Sequence, residues 1–312
     1  MDLSNKHNKL ETRKRIIMER DSFLYKLRRK CQVVAHKLVS DEVMSKFYYW
    51  IVLHKKLNLK NPRTFNEKIQ WMKLYYYPRN PLIIKCSDKY AVREYIKEKG
   101  YEKKLVPLFG IWDKADDIIW DDLPNSFVLK CNHGCAYNIV VPNKKAFDKD
   151  KIAIQLNSWL KEDFGAFNIE IHYSKIKHHC ILCEEFLGES ITDYKFFCFN
   201  GKPYCIYVST DLIHDRQAQI GFFDLDGKKM QLHRDDYTDI EEITLPSFYY
   251  EMKKAAEVLC KDFPFVRVDF FLANNTWYFA ELTFTPGAGM MPFNPEEIDS
   301  EWGTLIDLDF AK

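Results

Sequence analysis

Apolar residues between positions 9 and 38 fall at Ile16, Ile17, Phe23, Leu24, Leu27, Cys31, Val34 and Leu38. That is close to the i, i+3/i+4, i+7 spacing of an amphipathic helix. The pattern predicts further helices over 41–56 and 64–77, separated by Asn61-Pro62, with Thr64 and Glu67 in capping-box register. Asp88 to Lys99 reads as a helix stopped by Gly100. Residues 149–162 read as another, with Ile152, Leu156, Trp159 and Leu160 inward, and 247–261 as the last. Shorter β-rich runs predict strands at 105–112, 126–131, 180–187, 194–200, 203–210, 219–224, 264–273 and 276–283. Asn200-Gly201 is a strong hairpin signal, and Asn274-Asn275 is a short turn between the last two strands. Helices and hairpins are mixed without βαβ alternation, so the predicted class is α+β. The chain has no internal repeat and no low-complexity segment.

The candidate chemistry lies on these elements. In VRVDFFLANNTWYFAELTFTPGAG (266–289), Asp269 and Glu281 are expected near the ends of two paired strands. Two carboxylates gathered this way suit a hard cation with oxygen ligands, Mg²⁺ beside phosphates being the common case. The plainer reading is a hairpin bearing two surface acids. Arg267 lies two residues before Asp269 and faces the same side of its strand, placing a cation on the face of the carboxylates. Upstream, FVLKCNHGCAYNIVV (127–141) delivers Lys130 at a strand end beside a loop of small polar residues, an arrangement able to hold phosphate. It is not a GxxxxGK[ST] phosphate loop, and the chain has no GxGxxG. HHCILCEEFLGES (178–190) is a strand that exits through Glu184, Phe186, Leu187, Gly188 and Glu189. Such an exit can offer backbone groups to a purine and a carboxylate to a ribose. Lys195 opens the next strand, where it either contacts phosphate or pairs with Asp193.

A phosphate lysine with its loop, a purine hinge and an Asp/Glu pair, in that order, resemble the ATP-grasp superfamily. The wording resembles its TupA-like branch, found with surface-polysaccharide biosynthesis. The matching stretches are NPRTFNEKIQWMKLYY (61–76), SDKYAVREYI (87–96), LVPLFGIW (105–112), SFVLKCNHG (126–134), DYKFFCFNGKP (193–203) and VRVDFF with ELTFTPGAG. The resemblance implies an ATP-grasp fold, two α+β lobes gripping ATP, behind a mostly helical N-terminal region. Charge and periodicity mark 1–60 as a basic helical region, and 61–125 as a helical or linker region leading into the ATP-grasp domain. A small lobe with flap and hinge follows over 126–190, and a large lobe with the metal site over 191–312. By the same resemblance Lys89 and Lys130 are nucleotide lysines, and 132–138, with His133 and Gly134, is the flap. Glu184 with the backbone of Phe186 and Leu187 is the adenine hinge, and Glu189 the ribose carboxylate. Asp269 and Glu281 are Mg²⁺ ligands, Mn²⁺ being an acceptable substitute. Many relatives carry Asn where this chain has Thr283, whose hydroxyl is the third candidate ligand. Arg267 and Lys195 are the catalytic candidates. The implied activity joins a small-molecule or sugar carboxylate to an amine through an acyl phosphate, on a uronic acid or amino acid of a surface polysaccharide. Three alternatives stay open: a kinase on the same fold, a nucleotide-binding accessory protein, and a glycosyltransferase of polysaccharide assembly.

Charge and cysteine content narrow the partners. Of the 312 residues, 1–60 carry 15 Lys and Arg against 6 Asp and Glu, a net +9; the remainder is −8. The basic helix over 9–38 is expected to pack on the acidic body, leaving at most weak, salt-reversible contact with an anionic membrane or glycan. Nucleic-acid binding is not expected from an acidic body with no recognised module. The N-terminus lacks an apolar signal core and no apolar run reaches about 18 residues, so a cytoplasmic protein, at most peripheral at the inner face of the membrane, is expected. Nine cysteines do not suit a secreted disulfide scaffold. Cys180 and Cys183 form a CxxC, but on a strand residues three apart face opposite sides, which argues against zinc.

Overall fold

The computed structural model describes residues 23–210, 219–234 and 237–311. Eight helices of seven or more residues frame two largely antiparallel sheets among these residues: α1 (Phe23–Leu38), α2 (Asp41–Leu53), α3 (Phe65–Tyr75), α4 (Pro81–Ser87), α5 (Val92–Glu98), α6 (Lys149–Leu160), α7 (Tyr249–Leu259) and α8 (Glu297–Thr304). Shorter helical turns lie between them. The first sheet holds β1 (Leu108–Trp112), β2 (Phe127–Cys131), β3 (Asn138–Val141) and β4 (Ile181–Glu185), in the order β1-β4-β2-β3. The second runs β10-β9-β5-β6-β7-β8, from β5 (Thr192–Phe199), β6 (Lys202–Thr210), β7 (Gln219–Asp224), β8 (Thr238–Asp239), β9 (Phe265–Ala273) and β10 (Thr276–Thr283). The class is α+β.

Strand alternation decides what each sheet shows to the space between them. In the small sheet Phe127, Leu129, Cys131, Ile181 and Cys183 form a core with Leu156 of α6. The intervening Lys130 and Glu184 are left on the opposite face. In the large sheet Phe196, Val268 and Phe270 meet α7, where Phe196 stacks on Tyr249 at 5.9 Å. The other face is divided. At one end Phe199 and Phe265 pack on Phe65 of α3 and Trp302 of α8. At the other end stand Lys195, Arg267 and Asp269.

Several expectations change. The helix expected over 88–99 begins only at Val92, because Asp88 Oδ1 accepts from the N–H groups of Tyr90 and Ala91 at 2.7 and 3.1 Å. Lys89 therefore sits in a turn. The region 61–125 is not a linker: Phe65, Ile69, Met72, Ile83 and Tyr95 belong to the large-lobe core. The small sheet starts before 126, since β1 pairs with β4. The capping box forms as drawn, Thr64 accepting from Glu67 N–H while Glu67 accepts from Thr64 N–H.

For the basic helix, residues 9–22 lie outside the described residues. The rest docks on the small lobe through Arg29, which bonds Glu162 and Tyr137 at 2.5 and 3.0 Å and lies 3.6 Å over the Phe167 ring. Gln32 Nε2 donates to the Phe167 carbonyl at 2.9 Å. The docking face thus joins Arg29 and Gln32 to the partly buried Val33, and Leu27, Cys31, Val34 and Leu38 are exposed.

Candidate nucleotide and metal site

The strands cross a cleft of about 200 Å³ whose lining includes Lys89, Lys130, Glu184, Lys195, Phe271 and Glu281. On its floor Asp269 is directly paired with Lys195 of β5 and with Glu281 of β10. Asp269 lies mid-strand, not near a strand end as expected. Glu281 reaches the same face because β10 bulges between Phe279 and Glu281, with Ala280 the extra residue. Without that insertion, alternation would turn Glu281 to the opposite face.

Arg267 organises the floor. Its Nε donates to Asp269 Oδ1 at 2.7 Å; its Nη2 donates to Asp269 Oδ2 at 2.6 Å, Thr283 Oγ1 at 3.1 Å and Glu281 Oε1 at 3.4 Å. The Thr283 hydroxyl donates to Glu281 Oε1 at 3.0 Å. Lys195 bonds Asp193 at 2.7 Å and Asp269 at 3.2 Å, so it makes the pairing foreseen for it and still borders the cleft. Asp269 has no exposed surface, whereas the Glu281 side chain is 41% exposed. Burial works against the charge of Glu281, but Arg267 first, then Lys195 and Lys89, pull its carboxyl below the ordinary range. Burial likewise disfavours a charged Lys195, yet Asp269 and Asp193 outweigh it and raise its pKa.

Two carboxylates, a hydroxyl and a cleft open to phosphate oxygens make an all-oxygen donor set, the kind a hard cation takes. Both Asp269 and Glu281 lie within 3.4 Å of one guanidinium nitrogen, so the residues present fit a shared cation. Among the described residues no group of three or more His, Cys, Asp or Glu is gathered for a metal, Cys180 and Cys183 included. Both of those thiols are buried.

The roof is built from the small sheet. Lys130 Nζ pairs with Glu184, and Arg93 approaches the other Glu184 oxygen at 3.5 Å. Lys89 Nζ donates to the Gly134 carbonyl in the 132–138 loop, and its N–H donates to Asn132 O at 3.1 Å. Asn132 is buried and holds Asp88, His178 and Cys180 at 2.8 Å each. His133 does not face the cleft. It is buried, stacks on His179 at 3.6 Å and bonds Trp159 O; burial and His179 push its pKa down to about 4. Gly134 admits no side chain, since a Cβ would come 2.8 Å from Phe164 and Tyr137. The loop is therefore pinned through Gly134. Just beyond β4 the backbone groups of Phe186 and Leu187 make no hydrogen bond among the described residues. The Leu187 side chain is buried against Val106 and Ala273, and Glu189 is exposed beyond Gly188 at φ +102°.

Phe271 and Arg93 are among the lining residues that escaped the sequence reading. Phe271, 5.9 Å from Lys130 Nζ, follows Asp269 by two and could have been read from strand alternation. Arg93 carried no such signal; its guanidinium is held by the Val106 carbonyl at 2.9 Å and by Glu184 of β4.

The fold and site define a two-lobed α+β protein with lysines above and a carboxylate pair below one cleft. The chain belongs to the TupA-like ATP-grasp family, whose pattern matches residues 67–307. Among solved structures it is similar to the D-alanine–D-alanine ligase of Bacillus anthracis complexed with ATP (17% identity, TM-score 0.42, covering 73% of this chain and 65% of that one). It is also similar to that of Helicobacter pylori (17%, 0.44, 79% and 65%) and to the L-amino acid ligase of Bacillus licheniformis (13%, 0.40, 66% and 44%). It thus spans less than two thirds of their length. No curated protein matches the chain.

Proposed function

We propose that the protein is an ATP- and Mg²⁺-dependent carboxylate–amine ligase. The observation that carries this reading is the Arg267 guanidinium spanning Asp269, Glu281 and Thr283 beside Lys195, beneath Lys89 and Lys130. Asp269 and Glu281 would hold the ion, which supplies charge neutralisation on the triphosphate. Thr283, committed to Glu281 and Arg267, orients both rather than acting as a strong ligand itself. Lys89 and Lys130 would bind phosphate oxygens, and the unpaired backbone of Phe186 and Leu187 the adenine edge. Arg267 and Lys195 would stabilise negative charge on the transferring phosphoryl group as a carboxylate oxygen attacks the γ-phosphorus and ADP leaves. An amine then attacks the acyl carbon, and inorganic phosphate departs, leaving an amide. A closed loop over residues 134–138 would keep water from the acyl phosphate.

We place the carboxylate on a uronic acid or amino acid of a surface polysaccharide, from the setting of the family. The test is a screen for ATP-to-ADP conversion over uronic acids, amino acids, sugar nucleotides and small amines. ADP release that requires both a carboxylate and an amine supports the ligase. ADP release without an amine and with a stable phosphorylated product identifies a kinase. Nucleotide binding without turnover identifies an accessory protein.

A further inference from the structure

Both N-terminal helices are mounted with apolar stripes outward. Since α1 docks through Arg29 and Gln32, its row Leu27, Cys31, Val34, Leu38 faces solvent, with Val34 55% and Leu38 80% exposed. On α2 the buried side is Met44, Ser45 and Tyr49, the last packed on Leu57, Leu59 and Met290. The opposite side carries Val43, Phe47 and Trp50, at i, i+4 and i+7, with Ile51 adjoining; Phe47 is 51% and Trp50 57% exposed. Exposed Val39 lies on the link between the helices. Scattered surface apolar residues are ordinary, but rows of them on consecutive helices mark a contact surface.

Charge decides the occupant. Residues 23–60 contain nine Lys and Arg against two Asp and Glu, and Lys30, Lys37, Lys56 and Lys60 are exposed. A second copy of the chain, related by a two-fold axis, would set this basic surface against itself. An anionic bilayer complements it: basic residues meet the phosphates, and Trp and Phe favour the headgroup boundary. At 13 residues α2 is long enough to lie on a bilayer and too short to cross one. We propose that α1 and α2 seat the protein on an anionic lipid surface, with Phe47 and Trp50 at the headgroup boundary and Lys30 and Lys37 over the lipid phosphates.

The full chain should sediment with phosphatidylglycerol/phosphatidylcholine vesicles and far more weakly with phosphatidylcholine alone. Brominated lipids should quench part of its tryptophan emission, and Trp50→Phe should remove that part. Phe47→Ser with Trp50→Ser should weaken partitioning about tenfold or more at unchanged melting temperature, because both side chains are exposed. Lys30→Glu with Lys37→Glu should weaken it at least about tenfold at low salt. Residual binding should survive ~0.5 M salt, where screening removes most of the charge term. Four outcomes would overturn the proposal: no binding to anionic vesicles, equal binding to neutral ones, absence of quenching, or the Phe47/Trp50 variant binding as wild type. A concentration-dependent dimer abolished by Trp50→Ser would assign the face to a second copy and overturn it equally.

Discussion

Asp269 and Glu281 are paired across one face of the large sheet, yet their replacement should separate stability from turnover. Asp269 is fully buried and receives three charge-assisted hydrogen bonds, two from Arg267 and one from Lys195. Asp269→Asn removes the charge and turns an amide N–H₂ toward guanidinium or ammonium donors. Arg267 and Lys195 then lose the one carboxylate they share. Breaking a buried pair in this way costs about 3–5 kcal/mol, a large share of a typical 5–15 kcal/mol stability. Glu281 is partly exposed, and Arg267 is 3.4 Å away with better partners elsewhere. Glu281→Gln should therefore cost under about 1 kcal/mol. Its loss of negative charge falls on the cation instead, so turnover should collapse while nucleotide still binds. Urea unfolding followed by circular dichroism measures the first quantity, and ADP release with a separate nucleotide titration measures the second. An Asp269→Asn protein as stable as wild type would refute the structural role given to that carboxylate. A Glu281→Gln protein with near-normal turnover would refute the metal reading.

Three further outcomes are expected. Lys130→Ala should weaken ATP binding by roughly 1.5–3 kcal/mol, the worth of a charge-assisted contact, and Glu184→Gln on that background should recover part of the loss by removing a carboxylate that Arg93 alone then balances; unchanged affinity dismisses Lys130. Amide exchange should slow with ATP at 135–138 and change little at Asn132 and His133, which are already buried and bonded; a loop indifferent to ATP is not a flap. Buried Lys73, whose pKa desolvation pushes down to about 8, donates to the carbonyls of Asn168 and Ala288 at 3.0 Å. Its folded pKa lies below its unfolded one near 10.4, so the unfolded chain binds more protons between those values and stability rises with pH there. Relative to Lys73→Met, wild type should gain about 2–3 kcal/mol between pH 7 and pH 10, and a flat difference in urea melts would contradict the burial penalty.

Much of the architecture was legible because it is local. β-Rich runs placed β7 and β10 at their observed bounds, and Asn200-Gly201 and Asn274-Asn275 turn with positive φ at every position. The same-face placement of Arg267 and Asp269 followed from alternation along one strand, though their ion pair did not. The stretch 61–76 was visible as a motif, but its use was not. Asn66, Gln70 and Lys73 are buried polar residues that hold the backbone of Met291, Gly289 and Ala288, more than 200 positions away. His133 looked like a flap contact because histidine in a polar loop usually meets solvent; here His179 arrives from another segment and covers it.

What the sequence determined by itself, then, was whatever depends on backbone periodicity and near neighbours: helix and strand positions, caps, turns and the same-face grouping of charges. Tertiary structure alone decided which faces met. A one-residue bulge at Ala280 brought Glu281 to Asp269, and the docking of α1 through Arg29 sent an apolar stripe outward that its amphipathic pattern had assigned inward. The physical reason is that a pattern states which side of an element is apolar, while the side that is buried depends on the partner that reaches it.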